Sequence, residues 1–177
     1  MNEMEYLKIP AERVSTLLGK EGATKAKIER KCKVGLTVGH DGEVGIEGDP
    51  ADVFFARDVV KAIGRGFAPE KALRLLGHDY GLYVIPLKEI IHSENAITRV
   101  KGRVIGEHGR IKQAIEEATD SALCVYGNTV SIISRIDTME YAKQAVGMLI
   151  DGAKHTSVLG YLAKARREVM EARLRGA

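Results

Sequence analysis

Two short glycine-bounded stretches carry the residue pattern best suited to binding a ligand. They are Gly19-Lys20-Glu21-Gly22 and Gly106-Glu107-His108-Gly109, each preceded by two aliphatic residues and followed three positions later by a lysine. Glycines at this spacing let a backbone approach a ligand closely. The N–H groups that open a following helix are unpaired donors with partial positive charge, so such a site favours a phosphate group.

The two stretches belong to a longer internal repeat. A shift of 87 residues brings Gly19 onto Gly106, Lys25 onto Lys112 and Ile28 onto Ile115. After the following hairpin turn the shift becomes 86, so that Val44 falls on Val130. A one-residue step located at a turn is typical of a duplicated unit, and a repeat of this length predicts two similar domains in tandem.

Positive charge is concentrated on the glycine stretches, although the net charge of the chain is only +3. The segment 13–33 holds seven basic residues against two acidic ones, and the segment 99–112 holds five against one. Lysine-rich stretches are usually solvated helix faces. Because both clusters coincide with a glycine stretch, we favour an electrostatic footprint for phosphates.

The elements around each glycine stretch follow one order, which is strand, helix, glycine loop, helix, hairpin and helix. In the first half the pattern predicts strands over 4–10, 33–39 and 43–48 and helices over 11–18, 23–32 and from 49 onward. In the second half it predicts an extended segment over 80–91, helices up to 105 and over 109–119, and strands over 122–126 and 129–134. Glycines and a proline in 64–78 mark a linker around a short helix. We therefore predict domains at 1–77 and 78–177.

The C-terminal segment has no counterpart in the first half. Val158, Leu162, Ala165 and Val169 form an apolar stripe, while most of the remaining positions are polar and five are basic. The pattern predicts a helix packed on the body of the protein with a cationic outer face. Contact of that face with RNA or a partner is the less favoured interpretation.

A Gly-x-x-Gly between two helices, in this order of elements, resembles the type I K-homology (KH) domain. The glycine loop of that domain clamps about four single-stranded nucleotides. The resemblance covers the chain from Glu5 to about Ala153. It implies an α+β fold of tandem type I KH domains, each a three-stranded antiparallel sheet packed on three helices, with a C-terminal helix added.

A narrower resemblance rests on residues beside the loops. Lys25 and Lys112 stand where the general KH pattern has isoleucine, and Ile-Glu pairs follow at 28–29 and 115–116. With the segment 149–158 and Arg166-Arg167, these residues are similar to the two-KH small-subunit ribosome-assembly factors of archaea and eukaryotes. That family implies binding near the 3′ end of small-subunit rRNA, alongside the endonuclease and the dimethyladenosine methyltransferase that mature it. An intact first glycine loop suits the archaeal branch.

The resemblance also implies a set of RNA-binding residues. They are Gly19, Lys20, Glu21, Gly22, Lys25, Ile28, Arg103, Gly106, Glu107, His108, Gly109, Arg110, Lys112 and Ile115. The lysines and Arg110 would meet phosphates, Arg103 would stack or pair nearby, and the two isoleucines would serve both core and groove. A groove of apolar residues is expected beside each loop, at 17, 18, 28, 34 and 36 and at 104, 105, 115 and 123. Glu107 opposes a phosphate, which predicts a weaker second site.

Other classes of function are less well supported. Gly19-Lys20 lacks the earlier glycine and the Gly-Lys-Ser/Thr of a nucleotide-binding loop, and no carboxylate cluster recurs in both halves. Cys32 and Cys124 stand far apart and the histidines show no metal-ligand spacing, so we predict no metal site. In the absence of a catalytic motif we also predict no cofactor and no catalysis. No apolar run approaches a membrane span, and we expect a cytoplasmic protein. Two alternatives stay open, which are a general KH RNA-binding adaptor and a KH module that mainly docks proteins.

Overall fold

The computed structural model describes residues 1–176 and divides into two compact units. The first comprises Met1–Tyr80 and the second begins at Gly81. Each unit holds one three-stranded sheet, and each is described by itself below. Among the described residues, no helix is long and apolar enough to cross a membrane.

The first unit alternates short helices and strands in the predicted order. Its elements are β1 (Glu3–Lys8), α1 (Val14–Leu18), α2 (Ala23–Cys32), β2 (Gly35–Val38), β3 (Glu43–Gly48), α3 (Pro50–Gly64) and α4 (Pro69–Ala72). Single 3-10 turns at Ala11–Arg13, Lys20–Gly22 and Leu73–Leu76 join or extend these helices. Asp49 precedes α3 and Pro50 opens it, a position at which the missing N–H of proline costs nothing.

The second unit repeats this order, with an additional short helix after its first strand and a long helix at its C-terminal end. Its elements are β4 (Tyr80–Pro86), α5 (Leu87–Ile90), α6 (Glu94–Ile105), α7 (Arg110–Thr119), β5 (Ser121–Tyr126), β6 (Thr129–Arg135), α8 (Ile136–Ile150) and α9 (His155–Gly176). A 3-10 turn at Glu107–Gly109 separates α6 from α7. Ser93 caps α6 by accepting a hydrogen bond from the N–H of Ala96 at 3.4 Å.

Both sheets are antiparallel and place the last strand of the unit in the centre. The strand orders are β1-β3-β2 and β4-β6-β5, so the second strand of each hairpin pairs on both sides. In the first sheet Leu7 pairs with Val44, and Leu36 pairs with Ile46. The predicted α+β fold, with a three-stranded sheet in each half, is confirmed.

The long helix of each unit covers one face of its sheet. The predicted stripe of α3, formed by Val53, Ala56, Val60 and Ile63, is buried to within 1% of its surface. It packs over Val44 and Ile46, which lie two residues apart on the same face of β3 and have no exposed surface. A period of two on the strands and of 3.6 on the helix therefore builds one core from both elements.

Two outer segments show where the sequence prediction succeeded and where it was wrong. The extended segment predicted over 80–91 ends at Pro86, and the helical turn α5 follows. Leu87 is fully buried there, and its N–H donates to the carbonyl of Asn128 at 2.9 Å. The predicted stripe of α9 is buried at Val158, Leu162, Ala165 and Val169 because α9 packs on α7 and α8.

Candidate nucleic-acid interface

The two glycine loops have the same backbone conformation. Gly19 has φ and ψ of 71° and −178°, and Gly106 has 74° and 174°. The second glycines, Gly22 and Gly109, are left-handed with φ of 75° and 72°. Hydrogen bonds also repeat, because the N–H of each second glycine donates to the carbonyl of the first, at 3.3 and 3.2 Å. The sequence repeat is therefore a structural repeat at its central motif.

The two glycines of each loop are required for different reasons. A Cβ added at Gly19 would clash with the side chain of Thr24, and one at Gly106 would lie 2.9 Å from the Cβ of Ile111. Their backbone region is also essentially restricted to glycine. At Gly22 and Gly109 an added Cβ would meet nothing within 4 Å. The outer side of each second glycine is thus open to a ligand.

The residues between the glycines place their side chains in solvent. Glu21 and His108 occupy equivalent positions with φ of 55° and 53°, an unusual conformation for residues other than glycine. In the second loop the side chains of Glu107 and His108 are 82% and 76% exposed, and His108 Nε2 lies 3.7 Å from Glu107 Oε1. The first loop instead exposes Lys20, so only the first loop presents a permanent cation to a phosphate.

The helices behind the loops begin at the second glycine, and the N–H groups of their first residues, Ala23 and Arg110, donate to the carbonyls of Lys20 and Glu107. Gly22 and Gly109 are the N-caps of α2 and α7, neither helix has a side-chain cap, and neither has an acidic residue in its first turn. Ten-residue helices carry a partial positive charge at this end. An anion that lies against the open glycine can therefore accept hydrogen bonds from the first turn.

Lys25 and Lys112 lie one turn beyond the loops and have acidic partners. Lys25 Nζ lies 3.6 Å from Glu29 Oε1, and Lys112 Nζ lies 2.8 Å from Glu116 Oε1. Both lysines stay about one-third exposed, so a phosphate can compete for them with the carboxylates. Sequence reasoning missed Glu29, whose Oε1 also accepts a hydrogen bond from the N–H of Leu36. The repeated Lys-x-x-x-Glu spacing was the available signal.

Fewer apolar residues are exposed beside each loop than the sequence indicated. Ile28 and Ile115 have no exposed surface, so they support the loop from within the core and do not offer a contact surface. The other expected groove residues are also largely buried, except for Leu18 and its repeat Ile105, which is 37% exposed. These two residues directly precede the first glycines. They are the apolar surface that the structure places beside the loops.

Arg103 does not project into the site as expected. Its Nε donates to the carbonyl of Leu149 at 3.1 Å, and its Nη2 donates to the carbonyl of Ala153. Arg13 does the same in the first unit, donating to the carbonyls of Ile63 and Phe67 at 2.8 and 2.9 Å. Since both arginines hold the C-terminal end of the long helix, the expected stacking role of Arg103 is replaced by a structural one. Arg110 remains exposed at the start of α7.

Replacing Arg103 by methionine should therefore lower the stability of the protein without a specific loss of RNA affinity. Two partly buried carbonyls would lose charge-assisted hydrogen bonds, which we expect to cost about 2 kcal/mol. Arg99→Met is the matched control, because Arg99 is exposed on the same helix. Urea unfolding should show a lower stability for Arg103→Met than for Arg99→Met. An RNA titration should give the same affinity for both variants. A larger loss of RNA affinity for Arg103→Met at equal stability would restore the contact role.

Residues 1–176 contain no group of three or more histidine, cysteine or acidic side chains that is arranged to hold a metal ion. The only chemistry that both loops share is hydrogen-bond donation from backbone and cationic groups around an open glycine. This arrangement suits the binding of an anionic chain.

Comparisons with known proteins agree with this geometry. A family model described as a eukaryotic-type KH domain (KH-domain type I) matches residues 81–167, and a KH-domain model matches residues 4–62. The chain is 44% identical over 175 residues to a KH domain-containing protein, MJ0443, of Methanocaldococcus jannaschii, covering 96% of this chain and 77% of that protein.

Solved archaeal structures are similar over almost the whole chain. Dim2p from Pyrococcus horikoshii is 45% identical with a TM-score of 0.86, covering 92% of this chain and 99% of that one. The aDim2p chain in a crystal of the a/eIF2alpha-aDim2p-rRNA complex from the same organism is 43% identical with a TM-score of 0.89, covering 95% and 96%. A protein of unknown function from Aeropyrum pernix is 38% identical with a TM-score of 0.91, covering 99% and 97%. The chain therefore belongs to the two-KH-domain ribosome-assembly family that its sequence resembles.

Proposed function

We propose that this protein binds single-stranded RNA near the 3′ end of small-subunit rRNA and positions that end for processing. The observation that carries the proposal is the repeated loop, with an open left-handed glycine in front of an uncapped, acid-free helix start. Each loop can hold a short stretch of backbone phosphates. The protein performs no chemistry in this proposal; it holds the strand for the endonuclease and the dimethyladenosine methyltransferase. We place this activity in the cytoplasm.

The choice of rRNA over other RNA rests on relatives. The Pyrococcus horikoshii relative was crystallised with rRNA and a/eIF2alpha. At 43% identity over nearly the full length, we extend rRNA binding to this chain and propose the translation factor subunit as a further candidate partner. Residues 1–77 and 78–177 then act as two domains that read one strand. Two linked sites bind a longer strand more tightly than either site alone.

We further propose that the two loops contribute unequally. Lys20 and the six other basic residues of 13–33 make the first loop the stronger phosphate site. In the second loop Glu107 repels a phosphate, and binding there depends more on Arg110 and the backbone donors. The exposed Glu107 and His108 also favour the one alternative that we keep, in which the second unit mainly docks a protein.

The salt dependence of binding tests whether phosphates are recognised. We expect the logarithm of the affinity for single-stranded RNA to fall linearly with the logarithm of salt concentration, with a slope of about −2 to −3 for three or four phosphates. Fluorescence anisotropy with a labelled single-stranded RNA and the full chain measures this slope. An affinity that does not depend on salt would favour the protein-docking alternative.

A further inference from the structure

A pocket opens at the end of α2 that lies away from the first glycine loop. Its volume is about 320 Å³, and it lies between the C-terminal turn of α2, the first turns of α3 and the segment after α4. Its lining includes Lys31, Lys33, Ala51, Asp52, Phe55 and His78. The His78 ring packs edge-on against Phe55 with centroids 5.6 Å apart. The pocket therefore combines an aromatic wall with an exposed cationic rim.

The equivalent surface of the second unit is covered by a helix. The repeat places Lys33 on Asp120 and Phe55 on Tyr141. There α9 packs across α7 and α8, and the hydroxyl of Tyr141 donates to Glu168 of α9 at 3.1 Å. This hydrogen bond raises the pKa of Tyr141 above its usual value. The surface is thus a helix-docking surface in the unit where its partner helix belongs to the same chain.

The first unit contains only the beginning of such a helix. α4 begins at Pro69, which the repeat places on His155, the first residue of α9. Ala72 falls on Val158, and both side chains are fully buried. α9 continues for 22 residues, whereas the helical segment of the first unit ends at Leu76. The pocket occupies the position that the second half of α9 covers in the other unit.

Charge at the two surfaces is opposite. In the second unit the surface is acidic, and Arg173 of α9 places its Nε 3.8 Å from Asp137 Oδ2. Asp120 and Arg173 also line one cleft between α7 and α9. In the first unit Lys31 and Lys33 are exposed, and neither has an acidic partner within 4.0 Å among residues 1–176. The complementary helix for the first unit is therefore acidic where α9 is basic.

We propose that this pocket docks an acidic amphipathic helix of another protein. Its apolar stripe covers Phe55 and Leu76, and its acidic flank faces Lys31 and Lys33. A protein helix fits better than RNA, because the equivalent surface of the second unit is covered by the protein helix α9. Since α2 spans about 15 Å, the helix and RNA occupy opposite ends of it and can bind together.

Photo-crosslinking tests this proposal with the full chain in cells of the source organism. The photoreactive residue p-benzoylphenylalanine replaces the exposed Ala51 at the pocket or, as a control position, the exposed Lys61 about three turns further along α3. We expect the photoreactive residue at position 51 to crosslink to one protein. The crosslinked segment of that protein should have apolar residues spaced three and four apart and an excess of acidic residues. Reversing two charges with Lys31→Glu and Lys33→Glu should reduce the yield by about tenfold, the equivalent of losing two surface ion pairs.

A second pair of charge reversals controls for general electrostatics. Lys8→Glu with Lys61→Glu makes the same change of net charge on exposed residues of the same unit and should leave the yield at Ala51 within about twofold. Crosslinks to RNA, to a second copy of this chain, or to a basic or non-helical segment would overturn the proposal. A yield at Ala51 no higher than at Lys61 would overturn it as well.

Discussion

Replacing Lys20 and Glu21 together by aspartate should lower the affinity of the protein for single-stranded RNA by at least about tenfold. Lys20→Asp converts a cation at the loop into an anion, so the phosphate next to the open glycine meets repulsion in place of attraction. Glu21→Asp keeps the charge and suits the left-handed conformation, which aspartate adopts more readily than most residues. The double variant should therefore fold normally. A loss of affinity in an RNA titration should then reflect the changed loop and not unfolding of the protein.

Two controls make this result specific. Lys61→Glu changes the net charge equally on an exposed helix position outside the loop, and it should reduce the affinity by about twofold or less. Glu107→Asp with His108→Asp in the second loop should reduce it less than the first-loop variant does, because that loop has no lysine to lose. If RNA affinity survives the change at Lys20 and Glu21, the first loop is not a phosphate clamp.

The first glycine of each loop should tolerate substitution far less well than the second. Gly19→Ala forces a Cβ into the side chain of Thr24 and into a backbone region that only glycine adopts readily, and we expect a loss of more than about 2 kcal/mol in the free energy of unfolding. Gly22→Ala meets open space and carries only the cost of a left-handed residue, about 1 kcal/mol. Chemical denaturation of both variants measures the difference. Equal losses would contradict the steric account of the loop.

The fold was largely predictable because its signals are local and occur twice. Glycine pairs, alternating strands and the stripe of α3 each specify one element, and the repeat supplied a second observation of the elements that both halves share. The loop conformation follows the same logic, since Gly19 and Gly106 meet the same steric limit from Thr24 and Ile111. Residues that act through their backbone are therefore well predicted from sequence.

Side-chain direction was not predictable in the same way. Arg13 and Arg103 do not coincide under the repeat, because one lies a helical turn away from the position equivalent to the other. Both nevertheless reach equivalent carbonyls, at 63 and 67 and at 149 and 153. A long guanidinium can reach the same acceptors from two starting points, and only the packed structure shows which acceptors it meets. Each basic cluster thus contains an arginine that donates to backbone carbonyls, and for Arg103 the resemblance to KH domains had implied a contact with RNA.

The two loops share a backbone conformation and differ in charge, and we propose that this difference gives them different affinities for phosphate. Both loops have the open glycine and the uncapped helix start, which together form a common phosphate site. Lys20 adds a cation to the first, while Glu107 adds an anion to the second. A duplicated scaffold has therefore kept one geometry and varied the residues between the glycines.

A comparison of the affinities for two RNAs most directly tests the central claim that this protein recognises the 3′ end of small-subunit rRNA. The full chain is titrated with a labelled single-stranded RNA that ends in that sequence, and with a permuted RNA of the same length and composition at the same salt concentration. We predict that the 3′ sequence binds at least about tenfold more tightly, since base contacts must add to the phosphate contacts that both RNAs share. Equal affinity for the two RNAs would contradict the claim.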